Sequence, residues 1–169
     1  YGDVRQAIEL CEQALRWVPT DSAMVRSIIF YILGNSYESL GDLPRATGAL
    51  IEAVSLSETA GNLVITLNAT YSLARLKEEQ GHLQEAVALQ RHALALVEKQ
   101  FGPEAHPDHI SPVAGRAYMD MAEILREQNK LEQAKKFLTI SLELGRRINV
   151  MGTLPLSYLI LARILQAQG

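Results

Sequence analysis

A segment at Leu33–Ala46 recurs along the chain and constrains its fold more than any other feature. It has the pattern of a helix end, a tight turn and the start of the next helix. Gly41 at the turn has counterparts at Gly2, Gly81, Asn129 and Gly169, at intervals of 39, 40, 48 and 40 residues. Such a period is typical of a helical solenoid, in which each hairpin of helices stacks on the next.

Small residues stand at fixed distances from each turn. An alanine lies five residues after it, and a further small residue lies twelve after it. Seven residues before it, a large apolar residue precedes a small one, as in Leu33 and Gly34. These spacings predict two antiparallel helices whose backbones approach closely at the small residues. Glycine or asparagine at the turn predicts the left-handed conformation that ends a helix.

The pattern predicts an all-α chain of eight antiparallel helices. Thr20 or Asp21 is expected to cap the second helix and Asp42 the third, with Pro44 in its first turn. Residues 101–112 contain three prolines and a glycine, which predicts a loop. The expected helices cover about residues 3–18, 22–40, 42–58, 62–80, 83–100, 113–128, 131–148 and 154–168.

These residues carry a resemblance to the tetratricopeptide repeat (TPR). The first complete repeat matches the family pattern at Phe30, Leu33, Gly34, Tyr37, Gly41, Ala46, Leu50 and Ala53. The resemblance implies a right-handed TPR-like superhelix, an α-solenoid. It also implies one domain over residues 1–169, made of a half-repeat at 1–19, repeats at 21–60, 62–100 and 113–149, and a half-repeat at 154–169. The chain is expected to be a fragment of a longer protein.

Composition and motifs argue against several functions. A net charge of -3 and a pI near 5.8 disfavour direct nucleic acid contact by this segment. Cys11 is the single cysteine of the sequence, so an intramolecular disulfide is excluded. The place of Cys11 in the repeat predicts a buried structural thiol. No secretory, membrane-spanning or lipidation segment is evident, so a cytoplasmic location without membrane attachment is expected.

Little in the sequence suggests catalysis. A phosphate-binding loop, a dinucleotide fingerprint and an HExxH metal motif are all missing from the sequence. His106, Asp108 and His109 are the only ligand-like cluster, and they lack the four ligands of a structural zinc site. We therefore expect a solvated loop there, no metal, no cofactor and no enzymatic activity.

The resemblance also implies a binding surface. In TPR arrays the first helix of each hairpin lines a concave groove, and the corresponding positions here carry aromatic, amide and charged side chains suited to a peptide, a sugar or an acidic small molecule. The candidate groove residues are Tyr31, Asn35, Asn68, Tyr71, Arg75, Arg116, Glu123 and Arg163.

The repeat style narrows the family further. Repeats near 40 residues, with helix ends such as Leu161–Gly169 and a turn such as Ala60–Asn62, resemble the MalT-like sensor region of LuxR-family ATP-dependent transcriptional regulators. This resemblance implies a scaffold that receives a protein, a peptide or a small-molecule inducer. The alternative is a generic TPR adaptor that docks a peptide or protein in its groove. The apolar final helix is expected to allow self-association.

Overall fold

The computed structural model describes residues 3–102, 105–147 and 153–168. Within these ranges the chain forms eight α-helices and no strand, which confirms the predicted all-α class. The helices are α1 (Val4–Trp17), α2 (Ala23–Ser39), α3 (Leu43–Thr59), α4 (Leu63–Glu79), α5 (Leu83–Phe101), α6 (Gly115–Glu127), α7 (Leu131–Arg147) and α8 (Thr153–Gln168). We call α2, α4, α6 and α8 the A helices, and α1, α3, α5 and α7 the B helices.

The chain divides into two compact units, an N-terminal unit at Tyr1–Leu89 and a C-terminal unit at Gln90–Gly169. In the N-terminal unit α2 packs against α1, α3 and α4, and α3 also packs against α4. In the C-terminal unit α6 packs against α7 and α8, and α7 packs against α8. In both units an A helix therefore contacts a B helix and the next A helix. The assignment of residues 1–169 to one domain stays a prediction.

The predicted left-handed turns are confirmed at every described position. The backbone φ is +77° at Gly41, +80° at Gly81 and +58° at Asn129, whereas Gly2 and Gly169 lie outside the described residues. Asn129 is the only residue other than glycine with a positive φ in the described ranges. Asparagine tolerates this region better than most side chains do, which explains why it replaces glycine at this turn.

The predicted close approach of α2 and α3 is confirmed at Gly34. A β-carbon placed on Gly34 would lie 2.6 Å from Cγ of Leu50, whose side chain is fully buried. Ala46 and Ala53 of α3 are fully buried as well. In the C-terminal unit a β-carbon on Gly115 would lie 3.3 Å from Cβ of Leu144. Small residues thus let the helices approach closely in each unit.

The helix caps partly follow the prediction. As expected, the Asp42 carboxylate accepts a hydrogen bond from the backbone N–H of Arg45 at 3.2 Å and caps α3. The predicted capping of α2 by Thr20 or Asp21 is wrong, because the N-cap residue is Ser22, which makes no side-chain cap hydrogen bond. The N–H of Ser22 donates to the carbonyl of Pro19 at 3.1 Å, and this turn delays the start of α2 beyond both predicted caps.

The predicted loop after α5 contains two short 3₁₀ turns, Pro107–His109 and Pro112–Ala114. Helix α6 consequently begins at Gly115, two residues later than predicted. Ile110 of this loop is buried, and the Arg147 guanidinium of α7 donates to the carbonyls of Pro107 at 2.5 Å and Ile110 at 3.2 Å. A buried apolar side chain and an arginine from α7 therefore hold this part of the loop in place within the C-terminal unit.

Candidate functional site

A polar bridge joins the A helices of the N-terminal unit. The guanidinium of Arg75 on α4 donates to a carboxylate oxygen of Glu38 on α2 and to Glu79 at 2.8 Å. The hydrogen bond to Glu38 is the largest cause that raises the pKa of Arg75. Because the Glu38 side chain is only 15% exposed, this ion pair lies in a partly dehydrated environment, where charges attract each other more strongly than in water.

Asn35 makes a second connection between α2 and α4. Its side-chain nitrogen donates to the carbonyl of Tyr31 at 2.8 Å, and its side-chain oxygen accepts from Oγ of Ser72 at 3.1 Å. The first bond holds the amide against its own helix, and the second reaches the neighbouring A helix. Asn35 is therefore already hydrogen-bonded within the protein, and a ligand would have to compete for its amide or use its remaining hydrogen-bonding capacity.

Tyr31 and Asn35 also line an open cleft between α1 and α2. The cleft has a volume of about 510 Å³. Its walls combine apolar side chains such as Leu10 and Ile32 with a few polar ones such as Asp3. Leu10 and Ile32 are both exposed, so this part of the N-terminal unit presents apolar surface to solvent.

The C-terminal unit repeats the bridge between its A helices. Glu123 on α6 accepts two hydrogen bonds from Arg126, each at 2.9 Å, and one from Arg163 on α8 at 3.3 Å. These contacts lower the pKa of the Glu123 carboxyl, and the Arg126 hydrogen bonds are the largest cause. Arg116 pairs with Asp120 one helical turn later, at 2.8 Å. The bridge between α6 and α8 thus rests on Glu123 and Arg163.

The two bridging arginines occupy the same repeat position. Arg75 and Arg163 each stand six residues before a turn glycine of the repeat, and each reaches back to a glutamate on the preceding A helix. The partners lie 37 and 40 residues away in sequence, so the spacing is close to one repeat. The glutamates are not equivalent, since Glu38 stands three residues before Gly41 and Glu123 stands six residues before Asn129. A glutamate about one repeat before such an arginine is nevertheless a sequence signal that could have identified the bridges. The family's groove positions include Glu38, but sequence reasoning did not foresee its ion pair with Arg75.

The eight predicted groove residues fall in both units. Tyr31, Asn35, Asn68, Tyr71 and Arg75 lie in the N-terminal unit, and Arg116, Glu123 and Arg163 lie in the C-terminal unit. All of them are half-buried except Arg163, which is exposed. The structure brings Tyr31, Asn35 and Arg75 to the α2–α4 pair and Glu123 and Arg163 to the α6–α8 pair. Their role in binding stays a prediction.

The structure adds little that suggests chemistry. In the described parts of the chain, the histidine, cysteine and acidic side chains form no group of three or more that could hold a metal ion. In the predicted loop, Nδ1 of His106 lies 3.4 Å from a carboxylate oxygen of Asp108, and both side chains are exposed. Cys11 is half-buried rather than fully buried, and burial raises the pKa of its thiol, which disfavours the reactive thiolate.

A search of the described helices for one long and apolar enough to cross a membrane finds none.

Known structures share this arrangement of helices. BtubC (BKLC) from P. vanneervenii superimposes with a TM-score of 0.71 at 17% identity, and the alignment covers 99% of this chain and 67% of BtubC. A putative kinesin light chain from P. anserina with nearly identical TPR-like repeats gives a TM-score of 0.61 at 23% identity, covering 99% of this chain and 80% of the other. Both identities are low, so these similarities show the fold alone.

Sequence comparison identifies the family more closely. Among proteins with curated functions, no significant match is found. The family described as the MalT-like TPR region matches residues 1–169. This match confirms the resemblance inferred from the repeats near 40 residues and from the helix ends and turns that close them. The chain therefore belongs to the family of MalT-like TPR regions.

Proposed function

We propose that this chain is the sensor region of a LuxR-type, MalT-like transcriptional regulator in the cytoplasm. The observation that carries the proposal is the match to the MalT-like TPR region over residues 1–169. TPR repeats generally serve as non-catalytic scaffolds, so the proposed role is to bind a protein, a peptide or a small-molecule inducer. With a net charge of -3, the chain itself is not the DNA-binding part of such a regulator.

The bridges between A helices suggest how binding could be transmitted. Arg75 is shared between Glu38 on α2 and Glu79 on its own helix. An acidic group of a ligand would compete with these carboxylates for the guanidinium, since arginine binds carboxylates through directional, charge-assisted hydrogen bonds. Loss of the bond to Glu38 would weaken the connection between α2 and α4. In this proposal the inducer acts by changing the contact between consecutive A helices.

The C-terminal unit offers a second place for the same effect. Arg163 is half exposed and contacts Glu123 at 3.3 Å, while Arg126 also holds Glu123. Because Glu123 keeps its bonds to Arg126 when Arg163 leaves, release of Arg163 costs less than release of an arginine whose partner would be left unpaired and buried. An acidic ligand could therefore bind Arg163 while the ion pair between Glu123 and Arg126 on α6 is kept.

The regulator proposal is tested on the parent protein. We expect ATP hydrolysis and binding to a specific promoter fragment by the parent, whereas the isolated 169-residue chain should show neither. The control is the same promoter sequence with its bases scrambled. A parent with no ATPase activity and no specific DNA binding would contradict the proposal and would favour the generic TPR adaptor.

A further inference from the structure

Helix α3 exposes a glycine whose presence the packing of the N-terminal unit does not explain. Gly48 lies inside α3, and a β-carbon there would meet nothing within 4 Å. Glycine weakens a helix relative to alanine, so this residue costs stability without letting two helices of the chain come closer. The other glycines that lie in described helices, Gly34, Gly115 and Gly145, are all buried. Gly48 is therefore the one described helical glycine whose backbone is open to an approach from outside.

The exposed face of α3 around Gly48 carries no charge along its centre. Helix α3 packs against α2 and α4, and this face lies on its remaining side. Four exposed residues form the centre: Pro44, Gly48, Ile51 and Ser55. Counted from the turn residues, the same four positions of α1 are all charged: Arg5, Glu9, Glu12 and Arg16. Three of the four positions are charged in α7 as well. Helix α3 thus presents an uncharged surface where α1 and α7 present charges.

The two edges of this face differ in character. Arg45 and Glu52 are exposed and seven residues apart, so two turns of helix place them almost in line on one side of Gly48. Pro44 and Ile51 have the same spacing and lie almost in line on the other side, where Ile51 is 49% exposed. The face therefore has a charged edge with one residue of each sign, a glycine in the middle, and an apolar edge.

The Arg45 guanidinium on the charged edge is already held in place. Its Nε–H donates to the Asp42 carboxylate at 2.5 Å, and its Cζ lies 4.6 Å from the centre of the Tyr37 ring. A guanidinium has five N–H donors, of which the bond to Asp42 uses one. Because these contacts limit the conformations of the side chain, binding a carboxylate of a second molecule requires little further ordering.

We propose that two copies of this chain associate through α3, with the two helices antiparallel and crossing at Gly48. Arg45 and Glu52 lie three residues before and four residues after Gly48, so a two-fold axis at the crossing brings Arg45 of each copy level with Glu52 of the other, to within about 1.5 Å along the helix. The same rotation brings Ile51 of each copy beside Pro44 of the other. The face is thus complementary to itself in charge and in apolar character, as a two-fold interface requires.

A parallel pair of helices would fit less well. Its two-fold axis would oppose the charged edge of one copy to the apolar edge of the other, so Glu52 would meet Ile51 instead of Arg45. A carboxylate that loses water against an apolar side chain without a new partner is unfavourable. The antiparallel pair uses the same surface of both copies, so this contact closes at the dimer.

The mass of the native chain in solution is the first test. A single pair of helices forms a small interface, so the dilution series should reach about 1 mM protein. Sedimentation equilibrium should show a mass that rises with concentration from 18.7 kDa towards twice that value. A mass of 18.7 kDa at every concentration would overturn the proposal.

Exchanging the two charges tests the contact itself. Arg45→Glu places two carboxylates at each contact between positions 45 and 52, and Glu52→Arg places two guanidinium groups there. Each variant alone should therefore associate at least about tenfold more weakly than the native chain. In an equimolar mixture, both contacts of the mixed dimer again join one carboxylate and one guanidinium group, so association should recover. Variants that associate like the native chain, or a mixture as weak as its components, would overturn the proposal.

The matched control is Glu9→Arg, which reverses an exposed glutamate on α1 at the position equivalent to Gly48. This variant should associate like the native chain, and an equal loss of association would contradict the proposal. The α3 variants should keep their helicity by circular dichroism. Position 45 is the third residue of α3, where a glutamate is favourable, and arginine at position 52 is a good helix former.

Gly48→Gln tests the close approach at the crossing. Glutamine favours a helix more than glycine does, so the monomer should be at least as stable as the native one. Its side chain would separate the two helices, so association should weaken about tenfold or more. Thr139→Gln, on the exposed face of α7, is the control and should leave association unchanged. Native association by Gly48→Gln would refute a crossing at this residue.

Discussion

Replacing Gly34 by alanine tests whether α2 and α3 can pack this closely only because Gly34 has no side chain. The new β-carbon would lie 2.6 Å from Cγ and 2.7 Å from Cδ2 of Leu50, and 3.4 Å from its backbone nitrogen. Cγ is near the base of the side chain, and Leu50 is fully buried, so the leucine cannot turn away without disturbing the core. The helices must then separate or Leu50 must leave its rotamer.

Two effects of opposite sign decide the result. Alanine favours a helix over glycine by about 0.5–1 kcal/mol. Overpacking a filled core costs about 1–3 kcal/mol. The clash should prevail because both close contacts involve a fully buried side chain. We therefore expect Gly34→Ala to lower the free energy of unfolding by roughly 0.5–2 kcal/mol, and Gly34→Leu to lower it further.

Gly48 provides the matched control for this prediction. It lies in α3, where a β-carbon would have no neighbour within 4 Å. Gly48→Ala should therefore raise the free energy of unfolding by about 0.5–1 kcal/mol, because only the helix preference acts there. The assay is urea unfolding followed by circular dichroism. The reasoning would be refuted if Gly34→Ala were as stable as Gly48→Ala.

A double-mutant cycle identifies Leu50 as the cause. Leu50→Ala alone should cost about 2–5 kcal/mol through the cavity it leaves. In the Gly34→Ala background it should cost about 1–2 kcal/mol less, since the truncation also removes the clash. Costs that simply add would show that Leu50 is not what the new methyl group meets.

Three further changes test separate features. Asn129→Ala should lower the free energy of unfolding by about 1 kcal/mol because alanine resists the positive φ at this turn, whereas Asn129→Gly should not lower it; urea unfolding compares the two. Tyr37→Phe removes the hydrogen bond that the Tyr37 hydroxyl donates to Glu12 at 2.8 Å, and should cost about 0.5–1.5 kcal/mol in the same assay. The pKa of Glu123 is lowered in the folded state, so its stabilising contribution is present above the unfolded pKa near 4.5 and is lost as the pH falls through the folded pKa. Arg126→Gln removes the main cause of this shift, so its thermal melting temperature should depend less on pH in the acid range. An unchanged pH dependence would contradict the assignment.

The helices and turns could be predicted because each depends on neighbouring residues. Gly41, Gly81 and Asn129 end their helices through a local backbone conformation, and Asp42 caps α3 through a local hydrogen bond. The α2 cap was predicted wrongly because Thr20, Asp21 and Ser22 can all cap a helix. The backbone N–H of Ser22 turns back to the carbonyl of Pro19, and this turn sets the cap at Ser22. The capping preferences of residue types do not predict such a turn.

The candidate site was less predictable because its contacts join residues one repeat apart. The bridge from Glu38 to Arg75 requires α2 and α4 to be neighbours. The hydrophobic periodicity within one helix does not predict which other helix lies beside it. Burial of Ile110 was missed for a similar reason. Its loop contains prolines and polar residues, which predict exposure, but α7 supplies Arg147 to bind the loop carbonyls. Such contacts become visible only when the helices are assembled.

The response of the proposed parent regulator to its proposed inducer tests the functional account most directly. We would measure transcription from the regulated promoter with and without inducer in cells carrying Tyr71→Ala/Arg75→Ala. The matched control is Arg91→Ala, an exposed arginine on the B helix α5. The account predicts that the double variant loses its response to inducer while promoter binding persists, and that the control responds normally. A double variant that is folded and fully inducible would contradict the proposal that the A helices receive the inducer.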